Sequence, residues 1–170
     1  VSQTEVVDSK YFDDVFEFTG TTSSTTGWKV TEVHGDETQA TQSEQFGVLL
    51  LTNKASTNEN AQQIQWVEGF AKPTQGKRLW FEARINCNGG DATNLDFFVG
   101  LAATENLNAV GDNMPANGIG FHKDDGDTNI DFSTSDDNTH IQQAAVATLA
   151  NDTYIRLGFS FDGGATGSGV

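Results

Sequence analysis

The chain has 170 residues, of which 36% are hydrophobic, including 12 Phe and 3 Trp, and this length suits one domain built around one core. Its 24 acidic and 9 basic residues give a formal net charge of −15, which opposes binding to a phosphate backbone. This charge leads us to expect no nucleic-acid partner. No apolar run approaches the roughly 20 residues of a membrane-spanning helix, so we expect no membrane partner either. Cys87 is the only cysteine, which excludes an intrachain disulfide and favours folding in a reducing compartment.

Alternation of apolar and polar residues predicts strands along the first half of the chain, because every second side chain of a half-buried strand faces the core. Residues 12–18 are expected to form an edge strand, and the Thr- and Ser-rich residues 20–27 a loop. Two further strands are predicted at 46–51 and 64–67, separated by a polar stretch.

The second half of the chain begins with the clearest alternation. Within residues 79–87 every second residue is apolar or Cys, and Glu82 and Arg84 fall on the opposite face. This pattern predicts a central strand, with Cys87 packed inward as an inert thiol. The segment 95–101 alternates in the same way after an Asn-Gly-Gly-Asp turn, so we expect it to pair antiparallel with 79–87.

A second hairpin and a last strand are predicted further along the chain. Residues 118–122 and 130–133 flank a turn-rich tip, and residues 154–161 alternate again. Residues 102–107 and 142–149 are each expected to form at most a helical turn. Many short strands joined by turns indicate an all-β, two-sheet antiparallel β-sandwich.

The end of the chain resembles a hairpin that lacks its return strand, because residues 161–170 are a strand end followed by Gly-rich turn residues. Unpaired strand edges are usually covered. We therefore expect residues 1–170 to be a single domain whose natural chain continues past Val170, with a neighbouring subunit closing that edge as the alternative.

Several strand patterns together resemble one protein family. They are residues 11–14, Trp28, and the segments 79–85, 98–102 and 154–159. Their order resembles tailed-bacteriophage virion proteins that have a concanavalin-A-like (lectin/glucanase) jelly roll. The resemblance implies a capsid decoration or cement protein or a fibre domain, located in the virion after assembly in the bacterial cytoplasm. This sequence departs from the family pattern at its end, where the last strand is absent.

No catalytic set is recognisable in the sequence. Glucanases of this fold class carry an E-x-D-x-x-E strand, because nucleophile and acid must lie about 5 Å apart, and no such spacing occurs here. Glu82 has Arg84 as its neighbour on the same face and is expected to be a paired, solvated residue. His34, His122 and His140 lack the spacing of a zinc site. We therefore expect no enzymatic activity and no catalytic residues.

The best metal candidate is the turn that contains Asp124, Asp125, Asp127 and Asn129, since oxygen ligands at alternating positions suit Ca²⁺. The turn lacks the glycine that an EF-hand loop has at its sixth position, where this chain has Ile130. A hydrated hairpin tip without cofactor is therefore the expected structure, and a Ca²⁺ site is the alternative.

Three tryptophans, Trp28, Trp66 and Trp80, are candidates for a sugar-stacking platform or for packing in the core or at a subunit interface. The expected function is a structural virion protein that binds the major capsid protein or other virion proteins, as a homo-oligomer or a lattice-bound subunit. The alternative is a carbohydrate-binding, lectin-like module of a fibre or host-recognition protein.

Overall fold

The computed structural model describes residues 28–32, 37–42, 48–53, 61–66, 71–103 and 114–164. The chain divides into two compact units, Val1–Val67 and Glu68–Val170. The described residues form ten β-strands and a single 3₁₀ turn, and every strand pair is antiparallel. The predicted all-β class with antiparallel sheets is confirmed, whereas the jelly-roll order of strands remains a prediction. The predicted edge strand 12–18, the loop 20–27, His34 and the end of the chain from residue 165 lie outside the described residues.

The first unit contains two strand pairs. Strand β1 (Trp28–Glu32) pairs with β4 (Gln62–Trp66), and β2 (Thr38–Gln42) pairs with β3 (Val48–Thr52). The Gln39 amide links the two pairs, because its Nε2 donates to Glu32 Oε1 at 2.7 Å and to Gln62 Oε1 at 2.8 Å.

The predicted strands at 46–51 and 64–67 correspond to β3 and β4. Strand β2 was not predicted. Its sequence, Thr-Gln-Ala-Thr-Gln, has only one apolar residue, so it carries no alternation signal.

The second unit has two layers. One layer is the four-stranded sheet β6-β7-β8-β9, and the other is the antiparallel pair of β5 and β10. Their bounds are Leu79–Ile85 for β5, Phe97–Ala102 for β6, Gly118–Lys123 for β7, Asn129–Asp136 for β8, Thr139–Thr148 for β9 and Ile155–Phe161 for β10.

The two layers meet at a cluster of aromatic rings. Phe159 on β10 stacks on Phe81 of β5 at a centroid distance of 5.1 Å. On the four-stranded sheet it contacts Phe132 at 5.6 Å and Phe121 at 6.2 Å. The buried core around these rings includes Ile119, Ile130, Leu149 and Leu157. Ile119, Ile130 and Leu157 occupy inward positions that period-two alternation selects, whereas Leu149 lies just after the end of β9.

The predicted pairing of 79–87 with 95–101 is wrong. Strand β5 pairs with β10 from Leu79↔Phe161 to Ile85↔Ile155, and β6 pairs with β7. The connection after β5 is no hairpin turn: Cys87 bridges to Asn151, and Asp91 then caps the 3₁₀ turn Ala92–Asn94 by accepting from Thr93 N at 2.9 Å. This longer connection carries the chain from one layer to the other, so the two strands lie on opposite sides of the core.

The second predicted hairpin is confirmed as β7 and β8, and the last predicted strand as β10. The helical turn predicted at 142–149 is wrong, because these residues lie in β9 and the short segment that follows it. Strand β9 is held by the ladder to β8 and by Asp131, whose Oδ1 accepts from the Ala145 amide at 2.6 Å. Tertiary pairing thus overrides the helix propensity of the Gln and Ala residues. Of the helical turn predicted at 102–107, Ala102 ends β6, and residues 104–107 lie outside the described part of the chain.

Two adjacent glycines allow a close approach on the outer face of the four-stranded sheet. Gly100 and Gly120 are directly paired, and the Phe98 ring lies across both. A Cβ at Gly120 would be 2.9 Å from this ring and one at Gly100 would be 3.0 Å from it. A Cβ at Gly120 would also lie 2.5 Å from the Val99 carbonyl oxygen, and one at Gly100 would clash with the Ile119 carbonyl oxygen, so side chains here would force the paired strands as well as the ring to move.

Candidate functional site

The outer face of the β5–β10 pair carries an exposed aromatic and charged surface. Since Leu79 and Phe81 point into the core, the intervening position of β5 points outward, and Trp80 there is 60% exposed. The residues of this surface, which we name the β5–β10 face, are Trp80, Glu82, Arg84, Tyr154, Arg156 and Ser160. Trp80 lies directly opposite Ser160, whose small side chain leaves room beside the indole.

Charged side chains on the β5–β10 face are fixed by two contacts. Arg156 Nε lies 3.0 Å from Glu82 Oε1. The Arg84 guanidinium carbon lies 3.8 Å from the centroid of the Tyr154 ring. A guanidinium stacked on an aromatic ring keeps its N–H groups in the ring-parallel plane, where they can reach an anion at the edge. Glu82 is a paired residue as predicted, and its ion-pair partner is Arg156 on the neighbouring strand.

Charge is segregated between the two layers of the second unit. Residues 71–85 and 154–164, which contain β5 and β10, carry five basic and two acidic side chains. The four-stranded sheet and its turns, residues 97–102 and 118–148, carry six aspartates and only one basic residue, Lys123. Lys123 is 1% exposed and contributes no surface charge. In a chain of net charge −15, the β5–β10 layer is therefore a locally basic surface.

The three candidate tryptophans do not form one platform within a sheet. Trp28 and Trp66 are register partners in the β1–β4 ladder of the first unit. Trp66 is half-buried, and the Trp28 side chain lies outside the described part of the structure. Trp80 belongs to the second unit and is 60% exposed.

The predicted Ca²⁺ candidates form a closed hairpin tip. Asp127 uses both carboxylate oxygens locally, because Oδ1 accepts from Asn129 N at 2.7 Å and Oδ2 from Asn129 Nδ2 at 3.1 Å. Asp124 Oδ1 lies 3.8 Å from His122 Nδ1. Over the described residues, no three His, Cys, Asp or Glu side chains form a group that could hold a metal ion. This geometry gives the Ca²⁺ alternative no support.

A buried lysine ties this tip to the preceding loop. Lys123 Nζ donates to Leu95 O at 2.7 Å, to Asp124 O at 2.8 Å and to Thr93 O at 3.3 Å. Three backbone carbonyls thus match the three donors of one ammonium group. Sequence reasoning missed this role, because a Lys at the end of an apolar strand is usually a solvated residue.

Cys87 is packed inward, as predicted, with 6% of its surface exposed. Burial raises the pKa of its thiol, and the Asp152 carboxylate raises it further. Because the thiolate is the nucleophilic form, both effects oppose a catalytic role.

His122 is a structural residue on the outer face of the four-stranded sheet, where its Nε2 lies 2.9 Å from Ser133 Oγ. Both residues are buried. His140 lies on β9, and neither histidine belongs to a metal-binding group among the described side chains.

Sequence reasoning identified Trp80 and Glu82 on the β5–β10 face but missed Tyr154, Arg156 and Ser160. The signal was present in the alternation of residues 154–161, which places all three on the outward positions. Assigning them to the same surface as Trp80 required the β5–β10 pairing, which the wrong partner for β5 concealed.

Searches against protein-family models, curated proteins and solved structures found no significant match to this chain. Among the described residues, no helix is long and apolar enough to cross a membrane.

Proposed function

We propose that this chain is a non-catalytic structural protein of a virion, a capsid decoration or cement protein that binds shell subunits and stabilises the shell. The observation that carries this proposal is the β5–β10 face, which presents Trp80, 60% exposed, and two arginines, Arg84 and Arg156, further along the same strand pair. Protein-binding surfaces are enriched in Trp, Tyr and Arg, and this face presents all three. The strand patterns that resemble phage virion proteins supply the virion context.

The contacts on this face support binding better than turnover. The Glu82 carboxylate is engaged by Arg156 at 3.0 Å, whereas a retaining glycosidase needs two carboxyl groups about 5 Å apart with access to substrate. Arg84 and Tyr154 form a preorganised pair, so little side-chain entropy is lost when a partner covers them.

The experiment uses emptied capsids of the native particle and the purified full chain. We expect the protein to cosediment with capsids and to raise the temperature at which they disrupt. Trp80→Ala should weaken binding by about 10- to 100-fold, the range expected for an aromatic hot spot. Asp136→Asn, an exposed residue on the other layer, is the matched control and should bind as the wild type does. Equal capsid stability with and without the protein would refute the proposal.

The same tryptophan favours a second candidate function, a carbohydrate-binding module of a fibre. An exposed indole is a surface on which a sugar ring can stack, and the Glu82, Arg84, Tyr154 and Arg156 side chains further along the same face offer hydrogen-bonding groups to a longer glycan. A glycan array followed by calorimetric titration distinguishes the two functions. Sugar binding that Trp80→Ala abolishes, together with no capsid binding, would replace the first proposal by the second.

A further inference from the structure

Strand β9 forms one edge of the four-stranded sheet, since β8 is its only strand partner within the part of the chain that the structure describes. It is ten residues long, and its burial is low on both faces, with eight of the ten residues exposed. Ile141 is 76% exposed and Val146 is 39% exposed. A long apolar edge strand offers unpaired N–H and C=O groups to another strand, and proteins usually block such an edge with Lys, Pro or a charge.

Apart from a bulge at Ala145, β9 has no such protection. Thr139–Thr148 contains no Asp, Glu, Lys, Arg or Pro, although 19% of the whole chain is charged. In a chain of net charge −15, this strand itself contributes no carboxylate to a contact between two copies. We propose that β9 pairs antiparallel with β9 of a second copy, forming one continuous sheet across a two-fold axis.

The register of this pairing follows from the strand itself. A bulge interrupts β9 opposite Asp131, where Ala145 has a φ of 53°, so the regular part of the strand is Thr139–Gln143. A two-fold axis at the centre of this segment places Ile141 opposite Ile141 of the second copy and Thr139 opposite its Gln143. Directly opposed residues share a face of the sheet, so the two exposed isoleucines would cover each other.

The position of Ile141 supplies an independent reason for a partner. Its register neighbour is Thr134, which is in turn opposite Ile119 of the core. Ile141 therefore continues the core-facing row of the sheet, yet the row is buried at Ile119 (7% exposed) and open at Ile141 (76% exposed). A second copy would add two apolar residues to this row and would cover the exposed Ile141.

The acidic turns of the two copies lie far from each other in this arrangement. In the proposed register Asp137 and its counterpart in the second copy lie eight strand positions apart, which is about 27 Å at 3.4 Å per residue. That separation exceeds the Debye length of about 8 Å at physiological ionic strength, so repulsion between these turns is screened. Each turn instead lies beside the bulge of the other copy, where the Asp131 carboxylate already accepts hydrogen bonds from the Ala145 N–H and the Gln142 amide.

The experiment measures the mass of the full chain by sedimentation equilibrium at protein concentrations up to about 100 μM, a range that detects micromolar dimers. We expect a reversible dimer. Ile141→Lys places two ammonium groups opposite each other and should raise the dimer dissociation constant at least about tenfold. Ala71→Lys adds the same charge at an exposed position outside β9 and is the matched control, so it should dimerise as the wild type does. Circular dichroism verifies that both variants fold, as expected for exposed positions.

Amide hydrogen exchange provides the second readout. Protection of residues 139–143 should increase with protein concentration in the wild type and not in Ile141→Lys. A chain that stays monomeric over this range overturns the proposal, whether or not its β9 amides are protected. A dimer that Ile141→Lys leaves unchanged overturns it as well. The capsid test depends on Trp80 and the dimer test depends on Ile141, so the failure of one proposal can be distinguished from the failure of the other.

Discussion

Removal of the Phe159 ring should separate the contribution of the two-layer core from that of the individual sheets. The ring is 8% exposed and contacts Phe81 on its own layer and Phe121 and Phe132 on the other. Truncating a buried Phe to Ala costs about 3–5 kcal/mol through lost transfer free energy and the cavity that remains. Because domains of this size are stable by about 5–15 kcal/mol, Phe159→Ala should lose a large fraction of the unfolding free energy.

Urea denaturation followed by tryptophan fluorescence measures this loss. With an m-value of about 2 kcal/mol/M, a loss of about 4 kcal/mol lowers the midpoint by about 2 M. Phe159→Leu keeps most of the volume and should lower it by less than about 1 M. A midpoint shift below about 0.5 M for Phe159→Ala would refute the packing of β10 against the four-stranded sheet.

Three further predictions concern the buried and titrating groups of the second unit. Lys123→Met leaves three carbonyls without their ammonium donor and should cost about 2–4 kcal/mol of unfolding free energy. The control, Lys77→Met, changes an exposed lysine and should cost less than about 0.5 kcal/mol. Equal melting temperatures for the two variants would contradict this prediction. The Cys87 thiol should react with a disulfide reagent at least about a hundredfold more slowly in the native protein than in denaturant, because the thiol is buried and its pKa is raised. Equal rates would show that the site opens readily. Burial raises the pKa of Asp96, and the Asp125 carboxylate raises it further, while a hydrogen bond from the Asp125 backbone N–H lowers it. Because the folded state holds this proton more tightly than the unfolded state, folding stability falls as pH rises from the ordinary aspartate range through the raised value. Asp96→Asn should therefore melt at a higher temperature than the wild type at pH 7 and lose this advantage in acid, while a pH-independent difference would contradict the assigned titration.

Much of the fold was predictable because alternation directly reports which side chains face a core. The strands that contain Phe81, Phe121 and Phe159 were located from this pattern, and so was the inward position of Cys87. The all-β class follows from these strands and the turn residues between them. By contrast, β2 has a polar sequence, and β9 is an edge strand whose Gln and Ala residues carry no clear period.

Strand partners were harder to predict than strands. Alternation shows which face of β5 is buried but not which strand lies beside it, and the turn residues after Cys87 favoured the wrong neighbour. The pairing with β10 depends on the contacts of Phe159 with both layers, which are long-range in sequence. For the same reason the sequence revealed Trp80, Glu82 and Arg84 but did not place Tyr154 and Arg156 on the same face.

The function of the hairpin tip could not be read from its acidic residues alone. Asp124, Asp125 and Asp127 have the composition of a Ca²⁺ loop, yet the backbone turns so that Asp127 bonds to Asn129. The neighbouring Lys123 supplies the cation that organises the surrounding carbonyls. Whether carboxylates converge depends on backbone conformation, which residue spacing alone does not specify.

Cryo-electron microscopy of the native particle from which the chain derives tests the central proposal most directly. The account predicts ordered copies of this domain at symmetry positions on the shell, with the β5–β10 face and Trp80 buried against shell subunits. Absence of the domain from the shell, or its placement at a fibre tip with Trp80 exposed, would contradict the decoration role.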